Sequence, residues 1–150
     1  MGILLALIFI SRILATKKNK EVLNLENHCN FKLIAISAQL NINKLVWELN
    51  SGLDLKLVRN ADLEKVTRFP TFSFRYTKSA IVISLIQNKY EGKMLVKQLN
   101  NVDFVLEFTG ELLPNDFKSH MQVVKKIPNV IAAIEIVPSS IKRNEPFCPE

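Results

Sequence analysis

The sequence predicts an α+β domain in which a mostly antiparallel sheet carries two helices on one face. Three observations lead there. Apolar residues fill 48% and charged residues 23% of the 150 positions, the balance of a chain that folds around one core of ordinary size. Hydrophobic periodicity switches along the chain between two residues and 3.6, marking strands and helices in turn. The resulting order is strand, helix, a run of four or five strands, helix, strand, and strand runs with segregated helices indicate a layer of each. A ferredoxin-like plait with an inserted hairpin is the topology expected, because split βαβ units have this order.

Phe31–Ala38 (FKLIAISA) is short, apolar and rich in branched residues, as a buried strand is. Ile42, Leu45, Val46 and Leu49 then follow one helical face. Asn41 stands where it can cap that helix and Gly52 where it can end it, which bounds the helix at Asn41–Ser51. Leu53–Val58 (LDLKLV) alternates like a strand, and the polar Arg59–Pro70 reads as a connection. Phe72, Phe74 and Tyr76 alternate with Ser73, Arg75 and Thr77, so one side of a strand is buried and the other wet. Thr77–Ser79 turns the chain into Ala80–Gln87 (AIVISLIQ), a nearly continuous apolar strand expected at the centre of the sheet.

Asn88–Lys93 has the composition of a turn, and Met94–Leu99 (MLVKQL) reads as a further strand. Val102–Thr109 sets Val102, Phe104, Leu106 and Phe108 on one face, and Gly110 closes it. A second helix over Asn115–Ile127 carries a stripe of Phe117, His120, Met121 and Val124 and stops at Pro128. Val130–Val137 (VIAAIEIV) is the last strand.

The domain is expected over residues 21–138, with a leader at 1–20 and a loose tail at 139–150 that contains Pro146 and Pro149. Ile3–Ala15 is almost wholly apolar but includes Arg12 and is followed by Lys17, Lys18 and Lys20. It is shorter than the roughly 20 residues of a spanning helix, and its charge follows the apolar run, whereas a secretory signal puts charge first. Three readings stay open: a short membrane anchor, an amphipathic surface helix, or a leader ahead of a misassigned translation start. The formal net charge of +6 points to an anionic partner, yet residues 21–150 hold 16 basic and 14 acidic groups, so four of the six excess charges belong to the leader.

Few residues suggest chemistry. Cys29 and Cys148 lie far apart and outside any metal or redox spacing, and with His28 and His120 they give only four soft ligands, so no metal and no cofactor is expected. The chain has no G-x-S-x-G, no H-E-x-x-H and no glycine-rich phosphate loop, and no catalytic residue is assigned. Asp103, Glu107 and Glu135 are placed to form an acidic row on one sheet face, with Lys97 and Arg75 as partners. His120 lies on an apolar stripe, as a hydrogen-bonded core histidine does. Phe72, Phe74 and Tyr76 read as core residues, or as stacking surfaces for RNA with Arg75, Lys78 and Lys97 nearby. Trp47 falls off the first helical stripe and is a candidate partner contact.

Val96–Phe104 reads V-K-Q-L-N-N-V-D-F, with the spacing of the motif that names the IPExxxVDY proteins of Bacteroidota. Val102 and Asp103 fit it, Val96 and Phe104 are similar substitutions, and Lys97 and Gln98 stand where the motif has Pro and Glu. FKLIAISAQL, the FSF of Phe72–Phe74 and the closing I-P-N-V-x-x-A-x-E-I also resemble that family, so the likeness covers about residues 22–143. It implies a fold and an extra leader, and brings no activity. An amide cannot act as a general base, so Gln98 favours a structural motif. The function expected is a cytoplasmic, non-enzymatic interaction or structural module, binding an unknown protein or a second copy of itself through a strand edge or through Trp47. The alternatives are an RNA-binding plait with Arg75 at its surface, and a peripheral membrane protein held by residues 3–15.

Overall fold

The computed structural model describes residues 31–137; the leader expected at 1–20 and the tail at 139–150, with Cys29, Cys148 and His28, lie outside the described residues. In chain order the elements are β1 (Phe31–Ala38), α1 (Ile42–Leu53), β2 (Val58–Arg59), α2 (Ala61–Thr67), β3 (Thr71–Arg75) and β4 (Val82–Gln87). The short β5 (Lys89–Tyr90) and β6 (Lys93–Met94) follow, then β7 (Phe104–Thr109), α3 (Pro114–Lys125) and β8 (Val130–Ile136). Six strands form one sheet in the order β2-β3-β4-β7-β1-β8, and every pairing in it is antiparallel. β1 lies between β7 and β8, and β7 between β1 and β4. The α3 crossover from β7 to β8 thus straddles β1 alone, whereas the α1 connection from β1 to the edge strand β2 passes β7, β4 and β3; the four strands β4-β7-β1-β8 have the split-βαβ order, extended at one edge by β3 and β2. β5 and β6 make the inserted hairpin.

Apolar side chains cover both faces of the sheet. On one face Ile34, Ile36, Ile83, Leu85, Leu106 and Phe108 meet Leu45 and Leu49 of α1 and Phe117 and Val124 of α3. The Phe108 ring stands edge-on to Phe117 with centroids 5.7 Å apart. On the other face Phe31, Leu33, Ala35, Ile86 and Val105 lie under Phe69, Leu95, Val96 and Val102. This double cover explains why β1, β4 and β7 read as nearly unbroken apolar runs although their sheet is antiparallel. Val102 belongs to the second face, so the expected stripe holds only for Phe104, Leu106 and Phe108.

Three expectations fail, and an asparagine side chain holds the chain at each of them. Leu53–Val58 is not a strand. α1 runs through Gly52 to Leu53 and ends at Asp54, which takes the left-handed conformation expected of the glycine. The Asn50 amide then grips Leu57 at both backbone groups, accepting from its N–H at 2.9 Å and donating to its carbonyl at 3.3 Å. Gly52 serves packing instead, since a Cβ there would lie 2.8 Å from Val123 Cγ1 on α3.

Arg59–Pro70 is not a bare connection but holds α2. Asn60 accepts from Leu63 N–H as its cap and donates to Ser73 Oγ on β3 at 2.8 Å. Met94–Leu99 leaves the extended conformation after Met94, because its backbone bonds to Asn88. The described residues therefore hold three helices, with α1 and α3 on the face where two were expected.

Gly110 has φ +108°, and a Cβ on it would stand 2.9 Å from the Ala80 carbonyl oxygen. Gly110→Ala is expected to destabilise the fold by about 2 kcal/mol in urea unfolding, because both the backbone and the contact resist the methyl group.

Candidate functional site

The segment that resembles the IPExxxVDY motif is held over the second sheet face from below and from one end. Asn88, at the end of β4, has no exposed surface. Its Nδ2 donates to the Leu99 and Val102 carbonyls, both at 2.9 Å, and its Oδ1 accepts from Val96 N–H at 2.8 Å. Its backbone bonds Asp103 and Leu95. Asp103 fastens the far end. Its Oδ2 accepts from Ala38 N–H at 2.9 Å, where the β1·β8 register shifts, and Lys89 Nζ lies 3.6 Å from its Oδ1. Val96, Val102 and Phe104 are buried, whereas Lys97 and Gln98 are exposed in the turn.

Beside this segment lies a groove of about 680 Å³. Its walls are Thr67, Arg68 and Phe69 at the end of α2, Tyr90–Met94 of the β5–β6 hairpin, and Lys97. Arg68 is the left-handed cap of α2, and Glu91 and Gly92 have φ of 50° and 75°, the two-residue turn that matches strand twist. Arg68, Lys93 and Lys97 are exposed and make no ion pair among the described residues; Glu91 is the single carboxylate lining the groove. Phe69 is buried in the floor, and Tyr90 presents 38% of its surface. Such a groove has cations for an anion and a ring for a flat apolar group. Sequence reading picked out Lys97 for its motif position and missed Arg68, Lys93 and Tyr90. The local sign available was the Glu-Gly turn between two lysine-bearing strands; the convergence with α2 depends on tertiary packing.

The other candidates do not meet there. Arg75 ends β3, exposed and without an ion pair among the described residues. Trp47 is 59% exposed on α1, with Lys44 Nζ 4.1 Å above its ring. Phe72, Phe74 and Tyr76 are half-buried and pack against the helix-side core, as core residues do. The acidic row does not form. Glu107 lies opposite Leu33 on the second face, Glu135 lies opposite Ile34 on the helix face, and β1 separates their strands. Neither Lys97 nor Arg75 pairs with either of them. His120 is half-buried with its ring 5.6 Å from Phe108, and burial pushes its pKa down against the pull of Asp116; it makes no side-chain hydrogen bond among the described residues, so the hydrogen-bonded core histidine that was expected is not found.

Glu107 is the one strongly perturbed carboxyl among the described residues. Burial pushes it up to about 7, and the Thr109 hydroxyl, donating to its Oε1 at 2.9 Å, opposes that. Ser84 and Leu33 stand opposite it on the neighbouring strands. A raised acid binds its proton in the folded chain at pH values where the unfolded chain has lost it. Stability therefore falls as pH rises from about 4.5 to about 7 and is level above that.

Part of the Glu107 side chain reaches solvent, so the effect is at most about 3 kcal/mol. Glu107→Gln keeps an acceptor for Thr109 and should raise stability by about 1–3 kcal/mol at pH 8 with no gain at pH 4, measured by urea unfolding at both. Asn88→Ala strands the Leu99 and Val102 carbonyls and the Val96 N–H. It should cost about 3 kcal/mol or more in the same assay. Asn88→Asp, which turns an acceptor toward those carbonyls, should be no milder.

Among the described residues no group of three or more His, Cys, Asp and Glu is placed to hold a metal ion, and no helix is long and apolar enough to cross a membrane. No protein-family model, curated protein or solved structure matches this chain.

Proposed function

We propose that the chain is a cytoplasmic, non-enzymatic association module that joins a second copy of itself through the β8 edge of its sheet. One observation carries this reading. Among the described residues β8 is the last strand of the sheet, Ile131 and Ile134 on it are exposed at 68% and 58%, and Glu135 is its one charged residue. Edge strands that stay solitary are short, or carry lysine or proline, or are covered. β8 has seven residues and carries neither lysine nor proline. Two β8 strands paired antiparallel about a two-fold axis would continue one sheet into the other and set Ile131 and Ile134 of each copy against the other copy.

The use of polar groups inside the domain supports a structural reading. Asn60, Thr67, Thr71 and Asn88 are all buried and all bonded to backbone of their own chain. The likeness to IPExxxVDY proteins is read in the same way. The positions that fit or nearly fit the motif, Val96, Val102, Asp103 and Phe104, are buried or bonded, and the departures, Lys97 and Gln98, face solvent.

Sedimentation velocity on the full chain tests the proposal. Ile134→Lys should convert a dimer to a monomer by weakening association about a hundredfold or more. Trp47→Ala should leave the dimer intact if the edge is the interface; a dimer lost with Trp47 moves the contact to α1, and a monomeric parent chain refutes self-association.

A further inference from the structure

We infer that the groove between α2, the β5–β6 hairpin and Lys97 binds the phosphate and base of a nucleotide unit, free or within a single strand. The inference is independent of the sheet edge. Three positive side chains converge on one groove with one carboxylate among them and, among the described residues, no ion pair to relieve them. Such a set repels itself until an anion enters, so the charge there is complementary to phosphate.

The three walls are also fixed from beneath. Thr67 Oγ1 donates to the Phe69 carbonyl and contacts Thr71 Oγ1, which sets the turn bearing Arg68. Gln87 Nε2 donates to the Lys89 carbonyl at 2.7 Å at the base of the hairpin bearing Lys93. Asn88 holds the turn bearing Lys97. Cations on backbone that is already ordered lose less entropy when they engage a ligand.

The walls then favour a ligand with a ring. Tyr90 is partly exposed beside Met94, with Phe69 below, so a flat base has an aromatic surface against which to stack while its phosphate meets the cations. A space of about 680 Å³ lies within the range of small-ligand sites and holds one or two nucleotide units. An acidic peptide would use the same cations but not the ring.

Amide chemical-shift titration of the full chain tests this with adenosine monophosphate, inorganic phosphate, an eight-nucleotide single-stranded RNA and a polyglutamate peptide. The nucleotide or the RNA should shift resonances of residues 67–69 and 90–97 and bind more tightly than phosphate alone. Binding of the mononucleotide as tight as that of the RNA identifies a free-nucleotide site; tighter RNA binding identifies a strand. Lys93→Ala with Lys97→Ala should weaken binding about tenfold and flatten its salt dependence, and Tyr90→Ala should weaken nucleotide about tenfold while leaving phosphate unchanged. All three substitutions are at exposed positions, and circular dichroism checks that the fold survives. No binding of nucleotide or RNA, shifts elsewhere, indifference to the lysine substitutions, or equally tight binding of polyglutamate overturns the inference.

Discussion

The Asn88 side-chain amide is the contact on which the second half of the fold depends. After β4 the chain must cross the lower face of the sheet to reach β7, and it does so without a ladder partner for residues 95–102. Buried backbone groups left without partners would each cost roughly 1–3 kcal/mol. One amide supplies two donors and an acceptor to this stretch. With the stretch in place, Leu95, Val96 and Val102 roof Phe31, Leu33 and Val105, and β1 and β7 become central strands buried on both faces. Asp103 completes the arrangement by using its carboxylate where the β1·β8 register slips.

The same dependence explains which elements were legible in the sequence. β1 matches its expected bounds, and α1 and α3 lie where their stripes put them, because periodicity and the Asn41 cap are local signals. The errors cluster where the deciding partner is an asparagine. Leu55 and Leu57 alternate as strand residues do and are indeed buried, yet the group that bonds Leu57 is the Asn50 amide of the preceding helix. α2 has only Leu63 and Val66 as large apolar residues, too few for a periodic stripe, and it depends on Asn60 and on the Thr71 N–H donated to Glu64. A propensity sum sees these asparagines as turn formers and cannot see what they hold.

The candidate residues divide in a similar way. Trp47 off its stripe, a core-facing His120 and alternating Phe72 and Phe74 were all readable, because each follows from position within one element. The acidic row was not, since strand adjacency decides it and β1 comes between the two glutamates. The basic groove was hidden for the same reason. Its three cations are spread over 30 residues of sequence, from Arg68 to Lys97, and only the folding of the hairpin against the end of α2 brings them to one place.

β1 occupies the second position of the sheet, yet its two ladder partners arrive late. Phe31 emerges from the ribosome roughly 70 residues before Phe104 and roughly 100 before Ile134. Until then a segment containing Leu33, Ile34 and Ile36, all without exposed surface in the folded chain, has no strand to pair with. Such non-local pairing slows folding and leaves apolar strand edges open in the nascent chain. The placement of β1 therefore makes chaperone engagement during synthesis most valuable early in the domain, at FKLIAISA, well before the sheet that will cover it exists.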